Sequence, residues 1–112
     1  MKKVVTKKRI PTPLQIQQVL RRVIDPDLRF NIVDLGLVYN IVVRGKMIRV
    51  TLTFTSIGCP HVPTILYHIE DELARAFSYY SAQIEVVWDP PWSKEKISKE
   101  LREQLQGYLP GV

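Results

Sequence analysis

The sequence has 112 residues, of which 46% are hydrophobic and 24% charged, and it contains one cysteine. That length and balance suit one folded domain with its own core, and they exclude both wholesale disorder and a disulfide framework within the chain. Sixteen Lys and Arg against eleven Asp and Glu give a net charge of +5, yet Lys2, Lys3, Lys7, Lys8 and Arg9 all precede the first acid, Asp25, and without those five the bases also number eleven.

The excess charge is therefore a short arm on a neutral body. A solvated tail over residues 1–12, followed by a single domain over 13–112, is the expected organisation. A phosphate-binding arm is the alternative, but a nucleic-acid partner would call for charge spread over a folded face. No apolar run approaches the ~20 residues of a membrane helix. The basic start leads into Ile10-Pro11-Thr12-Pro13 and not into an apolar stretch, so neither a secretory signal nor a membrane partner is expected. One cysteine without a partner makes the cytoplasm the expected compartment.

In chain order, Thr12 can cap a helix, with Pro13 at its first position and Gln15 completing a capping box. Ile16, Val19, Leu20, Val23 and Ile24 recur at helical spacing, which predicts a first helix from Pro13 to Ile24, stopped by Pro26. Asp25 to Asn31 reads as a loop. Leu35 to Val43 is β-branched and aromatic and predicts a strand with Leu37, Tyr39, Ile41 and Val43 on one face. Arg44-Gly45-Lys46 reads as a tight turn in which Gly45 takes positive φ. In the next strand Ile48, Val50, Leu52 and Phe54 alternate with Arg49, Thr51, Thr53 and Thr55, the pattern of an antiparallel sheet with one wet face. Val62, Ile65, Leu66, Ile69, Leu73, Ala76 and Phe77 predict a second helix from His61 to Phe77. Ile84, Val86 and Trp88 predict a third strand, broken by Asp89-Pro90-Pro91. Ser93 can cap a last helix that carries Ile97, Leu101 and Leu105 and ends at Gly107. The order α-β-β-α-β-α is a two-layer α/β (α+β) fold, a small mixed three-stranded sheet covered by helices. A right-handed crossover is expected where the second and third strands run parallel.

Cys59 is the most informative residue. It stands in a Gly-Cys-Pro turn between a strand end and a helix start. The first amides of a helix are unpaired and carry partial positive charge, which biases a thiol there towards the thiolate that attacks electrophiles and binds metal. The opposing reading is a small buried apolar side chain. His61 follows two residues later and could act as its base, although a partly exposed histidine at a helix start is the plainer reading. His68 reads as solvated or satisfied in mid-helix. One cysteine, two histidines and no CxxC do not make a zinc site. Iron or zinc at Cys59 would need ligands from a partner, a second subunit or oxygen groups such as Asp34. Asp25, Asp27 and Asp34 could do acid–base work, or could terminate a helix and satisfy loop amides. Trp88 and Trp92 flank Asp-Pro-Pro, and they form either a rigid corner on the core or a docking surface for a partner. No glycine-rich phosphate loop occurs, so no nucleotide is expected.

Four segments together resemble the iron–sulfur assembly family that includes SufT and PaaD, also called the metal-sulfur cluster biosynthetic family. They are Asp25-Pro26-Asp27, Asn31-Ile32-Val33-Asp34-Leu35-Gly36-Leu37-Val38, Thr51 to Pro60, and Val86-Val87-Trp88-Asp89-Pro90-Pro91-Trp92-Ser93, and the likeness runs from Pro13 to Gln106. The resemblance implies an accessory protein of iron–sulfur cluster assembly or client maturation, not an enzyme. It places the family's reactive cysteine at Cys59, its Asp-Leu-Gly-Leu-Val at Asp34 to Val38, and its threonine four before the cysteine at Thr55. Asp27 stands where the family has Glu, and Ile57 where a small residue or proline is common. PaaD-like members commonly carry a further cysteine-rich segment that is not found before Val112, so general maturation is expected over a phenylacetate-oxygenase role.

The leading expectation is thus a cluster-assembly adaptor whose Cys59 transiently holds iron, an iron–sulfur cluster or a mixed disulfide. Asp25, Asp27, Asp34, Thr55, Ser56 and His61 shape its pocket, and the assembly machinery and client apoproteins are its partners. A homodimer would bring two Cys59 thiols together. The alternative is a protein-binding adaptor, for example of an oxygenase complex, with Cys59 structural and Trp88 and Trp92 docking the client.

Overall fold

The computed structural model describes residues 10–55 and 60–105. Helix α1 (Pro13–Leu20) leads to strand β1 (Val38–Arg44), strand β2 (Met47–Leu52), helix α2 (Val62–Ala76) and strand β3 (Ser81–Val86). A 3-10 turn (Lys94–Lys96) and helix α3 (Lys99–Gln104) follow. β2 lies between the other two strands, antiparallel to β1 and parallel to β3. α1 packs on α2 and β1, and α2 packs on β3. The expected element order and mixed sheet are therefore those of the molecule.

The core explains why these segments form these elements. Ile48, Val50, Leu52 and Phe54 are buried from β2 and the residues just after it. Ile65, Ile69 and Leu73 bury one stripe of α2, while Ala76, expected on that stripe, is exposed. Ile16, Val19 and Leu20 bury one side of α1, whose start is secured by the capping box between Thr12 and Gln15. Gly45 turns the β1–β2 hairpin with φ +55°.

Four expectations need correction. α1 stops at Leu20 and not at Ile24, because the backbone from Val23 to Asp25 pairs with Phe30 to Ile32. Val23 accepts from Ile32 N–H, Asp25 N–H donates to Phe30, and Ile24 bridges Asn31. Val23 is buried from an extended segment that happens to continue the helical spacing. β1 begins only at Val38, and a register shift between Val38 and Asn40 breaks its alternation. Val38, Ile41 and Val43 pack on the core, while Tyr39 turns its hydroxyl to the Pro90 carbonyl oxygen (2.8 Å). β3 ends at Val86, short of Trp88. The last helix is two pieces: the 3-10 turn follows Ser93, Ile97 is extended, and Ser98 caps α3 by accepting from Leu101 N–H (3.2 Å). Ile97, Leu101 and Leu105 are nevertheless all buried. Gly107 lies outside the described residues.

Candidate functional site

The loop between α1 and β1 is organised by its acids. Asp25 is 2% exposed. Its Oδ1 accepts from the N–H groups of Asp27 (2.8 Å) and Leu28 (3.0 Å), and its carbonyl oxygen accepts from Arg29 N–H. It closes the turn in which Arg29 takes φ +67°. Asp27 is exposed. Asp34 joins three segments. Its carboxylate pairs with Arg21 at the end of α1 and accepts from Asn31 Nδ2 (2.9 Å), and its carbonyl oxygen accepts from Ser98 N–H (2.7 Å). Asp34 N–H in turn donates to Asn31 Oδ1 (2.8 Å). Partial burial raises the pKa of this carboxyl, but the hydrogen bonds from Asn31 and Arg21 and the Arg21 charge outweigh it and hold the group below the usual carboxylate range.

Gly36 follows, with φ +79°. A Cβ there would lie 2.1 Å from the carbonyl oxygen of Lys96, so only glycine admits the 3-10 turn this close. One residue earlier, the Leu35 carbonyl oxygen accepts from the Trp92 indole N–H (2.7 Å). The Lys96 ammonium lies 5.2 Å from the centre of the Tyr39 ring. Residues 92–105 thus form a strap anchored on Asp34, Leu35, Gly36 and Tyr39.

Between strap and body lies a half-open pocket of about 260 Å³, lined by Leu28, Phe30, Leu35, Thr55, Trp92, Lys94, Ile97 and Leu105. The wall is apolar apart from Thr55 and Lys94. The main chain at Lys94 is held by Arg102, whose Nη2 donates to the carbonyl oxygens of Lys94 (3.2 Å) and Glu95 (2.9 Å). A hydrogen bond from the Ser93 hydroxyl, then a backbone bond and the charges of Arg102 and Lys94, hold the exposed Glu95 carboxyl below its usual range.

Of the residues expected around the site, Thr55 and Trp92 stand on this pocket, whereas Asp25, Asp27, Asp34 and His61 do not line it. Asp25 and Asp34 are spent on loop amides and on Arg21. His61 is the residue before α2 and makes no side-chain cap bond. Trp88 is 39% exposed and tilts against Phe54, with ring centres 6.1 Å apart. Ser56 and Cys59 lie outside the described residues. They belong to the stretch between Thr55 on the pocket wall and Pro60 at the approach to α2. Among the described residues no three His, Cys, Asp or Glu come together to hold a metal ion, and no helix is long and apolar enough to cross a membrane.

Sequence reasoning missed Leu28, Phe30, Lys94, and the Arg21–Asp34–Asn31 cluster. The signal for the first pair was present: two large apolar side chains inside a polar loop that no helix or strand claims.

The chain belongs to the family described as iron–sulfur cluster assembly protein, whose sequence model matches residues 14–86. It is 40% identical over 78 residues to the Fe-S protein maturation auxiliary factor SufT of Staphylococcus aureus, a match covering 69% of this chain and 89% of that one. It is 36% identical over 85 residues to the Fe-S protein maturation auxiliary factor YitW of Bacillus subtilis, covering 75% of this chain and 83% of that one. The fold is also that of a crystallised domain of unknown function from Bacillus anthracis, with TM-score 0.79, 36% identity, and 83% and 90% of the two chains covered. The Staphylococcus aureus and Bacillus subtilis relatives are auxiliary factors by name, and the SufT- and PaaD-type resemblance read from the motifs is the family found. Trp92, Lys94, Ile97 and Leu105 lie beyond the matched residues, so half of the pocket wall is built outside the stretch that defines the family.

Proposed function

We propose that this protein is an auxiliary, non-enzymatic factor in the maturation of iron–sulfur proteins, and that Cys59 is the thiol that transiently holds iron or an iron–sulfur cluster as cargo. The observation that carries the reading is the position of Thr55. It stands on the wall of the apolar pocket, and the four residues that follow it, ending in Cys59, reach at most ~14 Å from it. The kinship with maturation factors over most of the chain supports the same conclusion. Asp25 and Asp34 are engaged in loop architecture, and no three His, Cys, Asp or Glu come together among the described residues, so Cys59 would meet cargo with ligands from a client, an assembly protein or a second copy. Ligand poverty of that kind suits handover over storage. Trp88 and Trp92 mark the face on which a client docks.

The test is complementation of a strain lacking its own factor of this kind, read as the activity of client iron–sulfur enzymes. Wild type restores activity, and Cys59→Ser lowers it at least tenfold at equal protein level. Full restoration by Cys59→Ser would leave a docking adaptor whose cysteine is structural. Anaerobic reconstitution of the purified chain, with Cys59→Ser as control, reads cargo binding directly.

A further inference from the structure

The sheet has two edges, and they differ. On the β1 edge Asn40 Oδ1 accepts from Ile41 N–H (3.0 Å), and the register shift between Val38 and Asn40 interrupts the strand. Both devices blunt an edge against further pairing. The β3 edge has neither. Ser81–Val86 contains no proline, lysine or bulge, and among the described residues no backbone pairs with its outer side. Ser81 and Val87 donate to the carbonyl oxygens of Lys46 and Leu52 on the β2 side, so alternation turns the N–H groups of Ala82, Ile84 and Val86 outward.

α2 overhangs that edge. α1 packs on β1 and α2, and Arg22 meets Glu72 on the α1 side of α2. At 3.6 residues per turn, Leu66 and Glu70 stand on the other flank, above β3. Leu66, Ile84 and Val86 are half-buried, whereas Glu70 and Glu85 are exposed. The result is a step with an apolar wall and an acid on each side of the strand. Neither acid is in an ion pair among the described residues.

We propose that this step seats the chain's own N-terminal arm, Lys2-Lys3-Val4-Val5-Thr6-Lys7-Lys8, as a fourth strand on β3 with Val5 on the helix side. Three observations carry it. The arm is basic without a single acid, matching Glu70 and Glu85. Its centre is β-branched, and in an extended chain Lys3, Val5 and Lys7 share one face and Lys2, Val4, Thr6 and Lys8 the other. With Val5 against Leu66 and Ile84, lysines fall on the Glu70 side and on the Glu85 side alike. The opposite facing would lay Thr6 on the apolar wall. The arm is also long enough. The nine residues before Ile10 reach about 30 Å when extended, against lesser dimensions of 27 and 21 Å for the molecule.

The experiment is amide hydrogen exchange on the isotope-labelled full chain, followed by NMR at low salt. The expected result is that the outward amides of Ala82, Ile84 and Val86 exchange about tenfold or more slower than unstructured amides. Val5→Ser lowers that protection about fivefold, and Val4→Ser, on the solvent face, by less than about twofold. Glu70→Gln and Glu85→Gln each lower it about two- to fivefold, the range of an exposed ion pair. The amides of Gln83 and Glu85, which point to β2, stay unchanged in Val4→Ser and Val5→Ser, so a loss at the outward amides is not unfolding. Outward amides that exchange freely in wild type overturn the proposal. Equal protection in Val5→Ser and wild type overturns it too, since another segment would then cover the edge. Protection that falls on dilution would assign the edge to a second copy and overturn it equally. No iron enters these assays, so their failure leaves the Cys59 complementation result standing, and the reverse also holds.

Discussion

The sheet with α1 and α2 is held by repetition, whereas the strap is held by a few specific points. In the first region many aliphatic side chains share the load, and each is replaceable by another of similar size. In the second, Ile97, Leu101 and Leu105 are buried in the same core, but one glycine, one indole N–H and one backbone carbonyl fix how residues 92–105 sit on Asp34–Tyr39. Robustness in the first region comes from redundancy. Definition of the pocket in the second comes from contacts that have no substitute.

That contrast can be broken most sharply at Gly36. Gly36→Ala meets both a positive φ and the Lys96 carbonyl, and we expect a loss of about 3 kcal/mol or more in urea unfolding. Gly45→Ala, with φ +55° and open space around it, should lose only about 1 kcal/mol. Equal losses would mean that the strap does not depend on close approach. Trp92→Phe keeps most of the apolar bulk and removes the donor to Leu35, for an expected loss of about 1.5 kcal/mol. Trp88→Phe, on the exposed corner, should stay within about 0.5 kcal/mol. Asp34→Asn should cost about 1 kcal/mol at neutral pH. Because the Asp34 carboxyl is held below its ordinary value of 3.8, its contribution is present above that pH and is lost as pH falls through the lower folded value. Unfolding curves of wild type and Asp34→Asn should therefore begin to converge below pH 3.8 and meet only once the pH is under the lower folded value, and a gap that persists at that point would assign the effect to packing. The smallest change is the loss of the Arg22–Glu72 contact, 3.5 Å and exposed, where Arg22→Gln should be neutral within about 0.3 kcal/mol.

The same contrast decides what was legible in the sequence. Ile48-x-Val50-x-Leu52 and Ile65-x3-Ile69-x3-Leu73 announce a strand and a helix because burial there follows a period. Thr12-Pro13-x-Gln15 announces a cap because its bonds are local. The pocket had no period. Leu28 and Phe30 meet Ile97 and Leu105 across more than sixty residues, and what joins them is a backbone approach that needs only the absence of a side chain at Gly36. Val23 and Ile24 misled for the opposite reason, since helical spacing continued where the backbone had already turned to pair with Asn31 and Ile32. Asp25 was legible as an amide-satisfying loop residue, but the pairing of Asp34 with Arg21 was not, because nothing local links the two.

The position of the strap after β3 also sets an order of events during synthesis. All three strands and both long helices have been translated once residue 86 is made, and an N-terminal portion of a chain can begin to fold while the rest is still being made. Trp92, Lys94, Ile97 and Leu105 are made afterwards, and their docking against Asp34–Tyr39 completes the pocket. Until they dock, Leu28, Phe30 and Leu35 lack part of their cover, a transient apolar surface of the incompletely folded chain.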